Sequence, residues 1–225
     1  MELTLTKEPL KKQVYILSGL GADERVFQKL DLKDFDPIFI KWVEPCKSES
    51  LENYSTRIIQ QIPTLNPTLI GLSFGGIVAV EIAKQIQTEK VILIASAKTK
   101  YEIPFYFRLA GQLKLNKILP TRVLKNSNFL TNWFFGTTSK FDSQLLKQIL
   151  IDTEPTFLRW AIEKVVLWNN CIQLNNIFHI HGSRDNVLPV MFVKCNVKIK
   201  NGGHLMTLNK VEELNRLIKQ EVFSF

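Results

Sequence analysis

Histidine and cysteine are scarce in this chain, with three of each in 225 residues. Cys46, Cys171 and Cys195 stand far apart and form no C-x-x-C pair, which excludes a disulfide framework and a cysteine-based metal site. Reduced thiols in a cytoplasmic protein are the expectation. No apolar run approaches the roughly 18 residues needed to cross a bilayer. Residues 1–8 are acidic and alternating, without the apolar core of a secretory leader. The net charge is +8, yet dense basic runs of the kind that track nucleic acid are missing, so no nucleic-acid partner is expected. The Gly19-x-Gly21 turn lacks the third glycine of a dinucleotide fingerprint. Neither a cofactor nor a metal is expected.

What is present has the makings of one α/β domain with a sizeable insertion: 45% hydrophobic and 22% charged residues. Short apolar runs at 14–17, 38–43, 68–72, 90–95, 177–181 and 196–199 read as buried strands. The second of these follows an expected turn at Asp36-Pro37. Residues 2–6 alternate apolar and polar and are a candidate edge strand. Helical spacing joins Leu51, Tyr54, Ile58 and Ile62, started by Ser48 or Ser50 and stopped before Pro63. A second helix, apolar nearly all round, is expected from about 75 to 87, and a closing helix places Val211, Leu214, Leu217, Ile218 and Val222 on one face. Strands alternating with helices predict a doubly wound, mostly parallel sheet of about six strands.

Between 97 and 173 the rhythm changes to helices without strands, and 11 Lys/Arg stand against 5 Asp/Glu. About half of the aromatics fall here, including Phe105, Tyr106, Phe107, Phe129, Trp133, Phe134, Phe135, Phe141, Trp160 and Trp168. Packing between helices is their first reading and the wall of an apolar pocket the second. Contact of this basic, aromatic third with a membrane surface is a further reading, and not the favoured one.

The stretch Gly71-Leu72-Ser73-Phe74-Gly75-Gly76 has the G-x-S-x-G spacing of a nucleophile elbow, a tight strand-to-helix turn that lifts a serine hydroxyl above a sheet edge. Gly71 and Gly75 answer the steric demand of that turn. Taken alone, the same residues also suit an ordinary βα turn with Ser73 as helix N-cap. In parallel sheets, ligands bind beyond the carboxyl ends of the strands, and Ser73, Asp185 and His204 each follow a predicted strand end. They supply the hydroxyl, carboxylate and imidazole needed for acyl transfer. His204 is the expected base, since His179 and His181 fall inside a strand and read as packed residues. Asp185 is the expected partner of the imidazole, with Glu102 as the alternative acid. The Ser18–Gly21 loop reads as a source of backbone N–H groups for an oxyanion.

These motifs, with His181-Gly182-Ser183-Arg184-Asp185 and Gly202-Gly203-His204, resemble the α/β-hydrolase fold family over roughly 13–96 and 176–225, in its Ser…Asp…His order. The resemblance implies a core of 1–96 and 174–225, a helical cap inserted at 97–173, and an oxyanion hole made by the N–H groups of Leu20 and Phe74. It implies a serine carboxylesterase or thioesterase acting through an acyl-enzyme on a small substrate with an apolar portion. A lyase, a C–C bond hydrolase and a non-catalytic ligand-binding member of the fold are the alternatives. Many relatives carry His-Gly where this chain has Ser18-Gly19.

Overall fold

Six strands pair in parallel throughout: β1 (Lys12–Leu17), β2 (Phe35–Phe39), β3 (Thr68–Leu72), β4 (Lys90–Ile94), β5 (Ile177–Gly182) and β6 (Val197–Ile199). The sheet order is β2-β1-β3-β4-β5-β6, so the winding reverses between β1 and β3 and leaves a crevice beyond their carboxyl ends. The structure is a computed structural model that describes residues 11–114, 136 and 139–224. Its helices are α1 (Leu51–Ile59), α2 (Phe74–Ala83), α3 (Phe105–Gln112), α4 (Lys140–Asp152), α5 (Pro155–Val166), α6 (Met206–Asn209) and α7 (Val211–Phe223). The candidate edge strand at 2–6 and the aromatics Phe129, Trp133, Phe134 and Phe135 lie outside the described residues.

The period-2 geometry of a strand divides its side chains between two cores. Val14, Ile16, Ile70, Leu72, Ile92 and Ile94 pack with Phe27 and with Leu214 and Ile218 of α7. Tyr15, Leu17, Leu69, Val91 and Leu93 pack on the other face with Tyr54 and Ile58 of α1 and Ile77 of α2. With both faces covered, the central strands carry uninterrupted apolar runs. Each such side chain contributes about 1.5–3 kcal/mol when fully buried. Leu146, Ile149 and Leu150 of α4 join the first core, while Phe157 and Ala161 of α5 join the second.

Boundaries differ from the sequence expectation at both ends of β2 and at the end of α2. Asp36 and Pro37 lie inside β2 rather than in a turn before it, and Trp42 and Val43 lie past its end. β2 is at the sheet edge, where a proline that cannot donate leaves no interior ladder bond unmade. The helix expected from 75 to 87 stops at Ala83, because Gln85 N bonds the carbonyl of Ile82 at 2.8 Å and tightens the chain into a turn. At α1, Ser50 rather than Ser48 is the cap, its side chain accepting from Asn53 N at 3.1 Å.

α2 is buried along nearly its whole length and carries a buried carboxylate, Glu81. Lys84 Nζ lies 2.8 Å from Glu81 Oε2, and Trp168 Nε1 donates to Oε1 at 2.8 Å. Trp168 thereby closes the segment after α5 onto α2. Replacing it by phenylalanine keeps most of the apolar contact and removes one charge-assisted hydrogen bond, leaving Oε1 with Lys84 Nζ at 3.0 Å. Trp168→Phe is expected to lower unfolding free energy by about 1–3 kcal/mol, read from urea denaturation.

Candidate active site

The turn from β3 into α2 holds Ser73 at φ 52°, ψ −118°, a left-handed conformation that a non-glycine residue adopts only under constraint. Three contacts hold it there. Ser73 N donates to Ile94 O at 2.9 Å, Ser96 Oγ donates to Ser73 O at 2.6 Å, and Gly76 N donates to the same carbonyl at 2.9 Å. The flanking glycines are there for space. A Cβ on Gly71 would stand 2.5 Å from Gly76 Cα, and one on Gly75 would overlap the carbonyl oxygens of Leu17 and Ser18.

The loops after β5 and β6 deliver the other two side chains to the same edge. Asp185 and His204 are both almost fully buried. Arg184 N donates to Gly202 O at 2.9 Å and Ser183 N to Ile199 O at 2.9 Å, lacing the two loops together. Asp185 Oδ1 accepts from the amides of Val187 (2.9 Å) and Leu188 (2.8 Å), which fixes the carboxylate plane. Its Oδ2 lies 2.8 Å from His204 Nδ1, and His204 Nε2 lies 2.7 Å from Ser73 Oγ. A carboxylate only accepts, so the proton of the neutral imidazole sits on Nδ1 and Nε2 faces the serine O–H as an acceptor. This arrangement can move a proton off the hydroxyl as it attacks a carbonyl.

The structure thus brings Ser73, His204 and Asp185 into one hydrogen-bonded line. Glu102, the alternative acid, is elsewhere: its carboxylate accepts from Lys98 N (2.7 Å) and Lys194 N (3.0 Å), and burial pushes its pKa up. Gly19 lies against the elbow, where an added Cβ would be 3.6 Å from Ser73 Cβ. Leu20 follows it directly. Phe74 N is the first amide of α2 and has no acceptor within the helix. The Leu20 loop is tied to the helices beside it. Thr153 Oγ1 lies 2.6 Å from Gly21 O, and Arg25 bridges Asp23 and Asp152 at 2.7 and 2.8 Å. The guanidinium holds both carboxylates below their ordinary range. A cavity of about 350 Å³ opens next to this loop, lined by Gly21, Ala22, Trp42, Val43, Thr153 and Phe157 together with the charged Asp23, Arg25, Glu44, Asp152 and Glu154. Among the described residues no group of three or more His, Cys, Asp or Glu could hold a metal ion.

His181, read from the sequence as a packed strand residue, sits directly behind Asp185. Its Nε2 lies 2.8 Å from Leu188 O and 3.4 Å from Asp185 Oδ2. A carbonyl only accepts, so Nε2 carries the proton, and Nδ1 faces His179 Nε2 at 3.3 Å. His181 therefore holds the loop whose amides hold Asp185. Its place two residues after His179 on one strand was the available signal, since residues i and i+2 share a face.

No protein-family profile matches the sequence, and no curated protein matches it either. Solved structures do. A bromoperoxidase from Bacillus anthracis is similar at TM-score 0.69 and 14% identity, over 96% of this chain and 93% of its own. An esterase from Exiguobacterium antarcticum is similar at TM-score 0.65 and 17% identity, over 95% and 92%. A lipase-esterase related protein from Clostridium acetobutylicum is similar at TM-score 0.66 and 17% identity, over 93% of each chain. At these identities the likeness is one of fold.

Burial lowers the pKa of His181 and drives that of His179 well below the ordinary 6.5. The unfolded chain therefore takes up protons near pH 6.5 that the folded chain refuses until lower pH. Stability from these groups is complete above about pH 6.5 and is lost as pH falls below it, by up to about 1.4 kcal/mol per pH unit for each group. His179→Gln keeps a donor toward His181 and removes one titration. Its unfolding free energy, measured in urea from pH 8 to pH 5, is expected to fall less steeply than that of the wild type.

Proposed function

We propose, from the α/β-hydrolase fold that this chain adopts, that it is a serine hydrolase cleaving a carboxylic ester or thioester. The observation that carries this assignment is the line Ser73 Oγ–His204 Nε2–Asp185 Oδ2, with separations of 2.7 and 2.8 Å at its two joints. His204 takes the hydroxyl proton as Ser73 attacks the carbonyl carbon. The N–H groups of Leu20 and Phe74 receive the oxyanion. His204 then gives its proton to the leaving alcohol or thiol. Water, deprotonated by the same imidazole, releases the acid and frees Ser73. Asp185 keeps Nδ1 protonated and stabilises the imidazolium formed on the way.

The cavity beside Gly21 has room for an apolar group flanked by Trp42, Val43 and Phe157. The described parts of 97–173 serve as the cap, with α4 and α5 forming the side of that cavity next to the oxyanion loop. Two of the structural neighbours are named an esterase and a lipase-esterase related protein, which supports ester chemistry.

A fluorophosphonate probe is expected to label the wild type at Ser73, and a chain-length series of p-nitrophenyl esters and acyl thioesters to be hydrolysed. Ser73→Ala should stay folded, take no label and lose turnover. Asp185→Asn should lower kcat by about 10⁴ through the wrong imidazole tautomer. Wild-type hydrolysis retained by Ser73→Ala would remove the assignment.

A further inference from the structure

The helix α3 is built inside out. Its buried side is marked by Gly111, where an added Cβ would lie 2.6 Å from Val166 Cγ2 of α5, so the small residue lets the two helices touch. Phe107 packs into the second core. The outward side is apolar: Phe105 is 62% exposed, Leu109 51% and Leu113 60%, with Tyr106 beside them. At 3.6 residues per turn these four positions fall within about 100° of arc. An amphipathic stripe of this width ordinarily faces a core, and here it faces outward.

Neighbouring loops extend the same surface. Tyr101 is 64% exposed in the turn before α3, and Met191 is 82% exposed in the turn after the Asp185 loop. The rings of Phe105 and Tyr106 each stand against Phe192, with centroids 6.3 and 6.1 Å apart. The buried Glu102 carboxylate, bonded to the amides of Lys98 and Lys194, staples the two loops into one platform. Scattered apolar side chains on a surface need no explanation, but a contiguous aromatic platform does.

The charges around it are mostly positive. Lys98, Lys100, Arg108, Lys114 and Lys194 belong to these segments. Glu102 is the single acid between 96 and 114, and it is buried, while no acid occurs between 186 and 211. The helix behind, α5, adds Arg159 and Lys164 against Glu163. No described helix is long and apolar enough to cross a membrane.

We propose that the outward face of α3, with Tyr101 and Met191, docks the protein onto the surface of an anionic lipid bilayer. Aromatic and leucine side chains enter the headgroup boundary while the lysines and arginine meet lipid phosphates. The platform grows from the loops that follow β4 and β5, so it shares the sheet edge that carries Ser73, Asp185 and His204. It is independent of whether Ser73 reacts.

Co-sedimentation with large vesicles tests it, comparing phosphatidylcholine alone with mixtures rich in phosphatidylglycerol. The wild type is expected to sediment with the anionic vesicles at low salt and to be partly released at high salt. Phe105→Ser/Leu109→Ser, both at exposed positions, should weaken that binding about tenfold or more, and Lys100→Glu/Lys114→Glu should remove its salt dependence. Ser73→Ala should bind as the wild type does, which separates this result from the fate of the hydrolase assignment. A wild type that stays in the supernatant overturns the proposal, as does sedimentation unchanged in the Phe105/Leu109 variant. A dimer seen by light scattering and dissolved by that same variant also overturns it, by giving the face to a second copy of the chain.

Discussion

A single strained residue fixes the geometry of the sheet edge. Ser73 is held at positive φ, a conformation that costs a non-glycine residue about 1–3 kcal/mol. The surroundings over-determine it: Ile94 at the end of β4 bonds its amide, Ser96 in the loop just beyond bonds its carbonyl, and the carbonyl also starts α2. The glycines around it let β1, β3 and α2 approach more closely than any side chain would permit. The outcome is a hydroxyl aimed at an imidazole rather than at its own helix. A relaxed turn would make Ser73 an ordinary N-cap, and here its side chain makes no cap hydrogen bond.

Much of this was legible in the chain because parallel sheets leave strong local marks. Continuous apolar runs located the central strands, and the rule that loops after strand ends gather at one edge brought Ser73, Asp185 and His204 together. Spacing could not choose between Asp185 and Glu102, since both follow strands. What decides is the loop after β5, whose amides and lacing to Gly202 aim one carboxylate at His204. The Asp36-Pro37 pair reads locally as a turn, and only its edge position, a property of the whole sheet, lets it be strand.

The aromatics of the middle third show the same limit. Periodicity reports that a helix has an apolar face and is silent on where the face points. Phe157 and Trp168 lie in the second core as packing residues should, whereas Phe105 and Tyr106 face outward. Gly111, unremarkable in sequence, turns α3 around by offering α5 a flat place to rest. His181 is a parallel case. It is buried as a strand histidine is expected to be, yet its partners make it a support for the loop behind Asp185.

The tie between the Leu20 loop and the α4–α5 junction has a mechanical meaning. Thr153 grips Gly21, and Arg25 clasps Asp152 on one side and Asp23 on the other. An outward swing of α4 and α5 would therefore drag the amide of Leu20 away from Ser73. In the hydrolase proposed above, a guest too large for the standing cavity would gain room only by unmaking the pair of donors proposed for its carbonyl, which would set generosity toward size against competence toward bond-breaking through one threonine and one arginine.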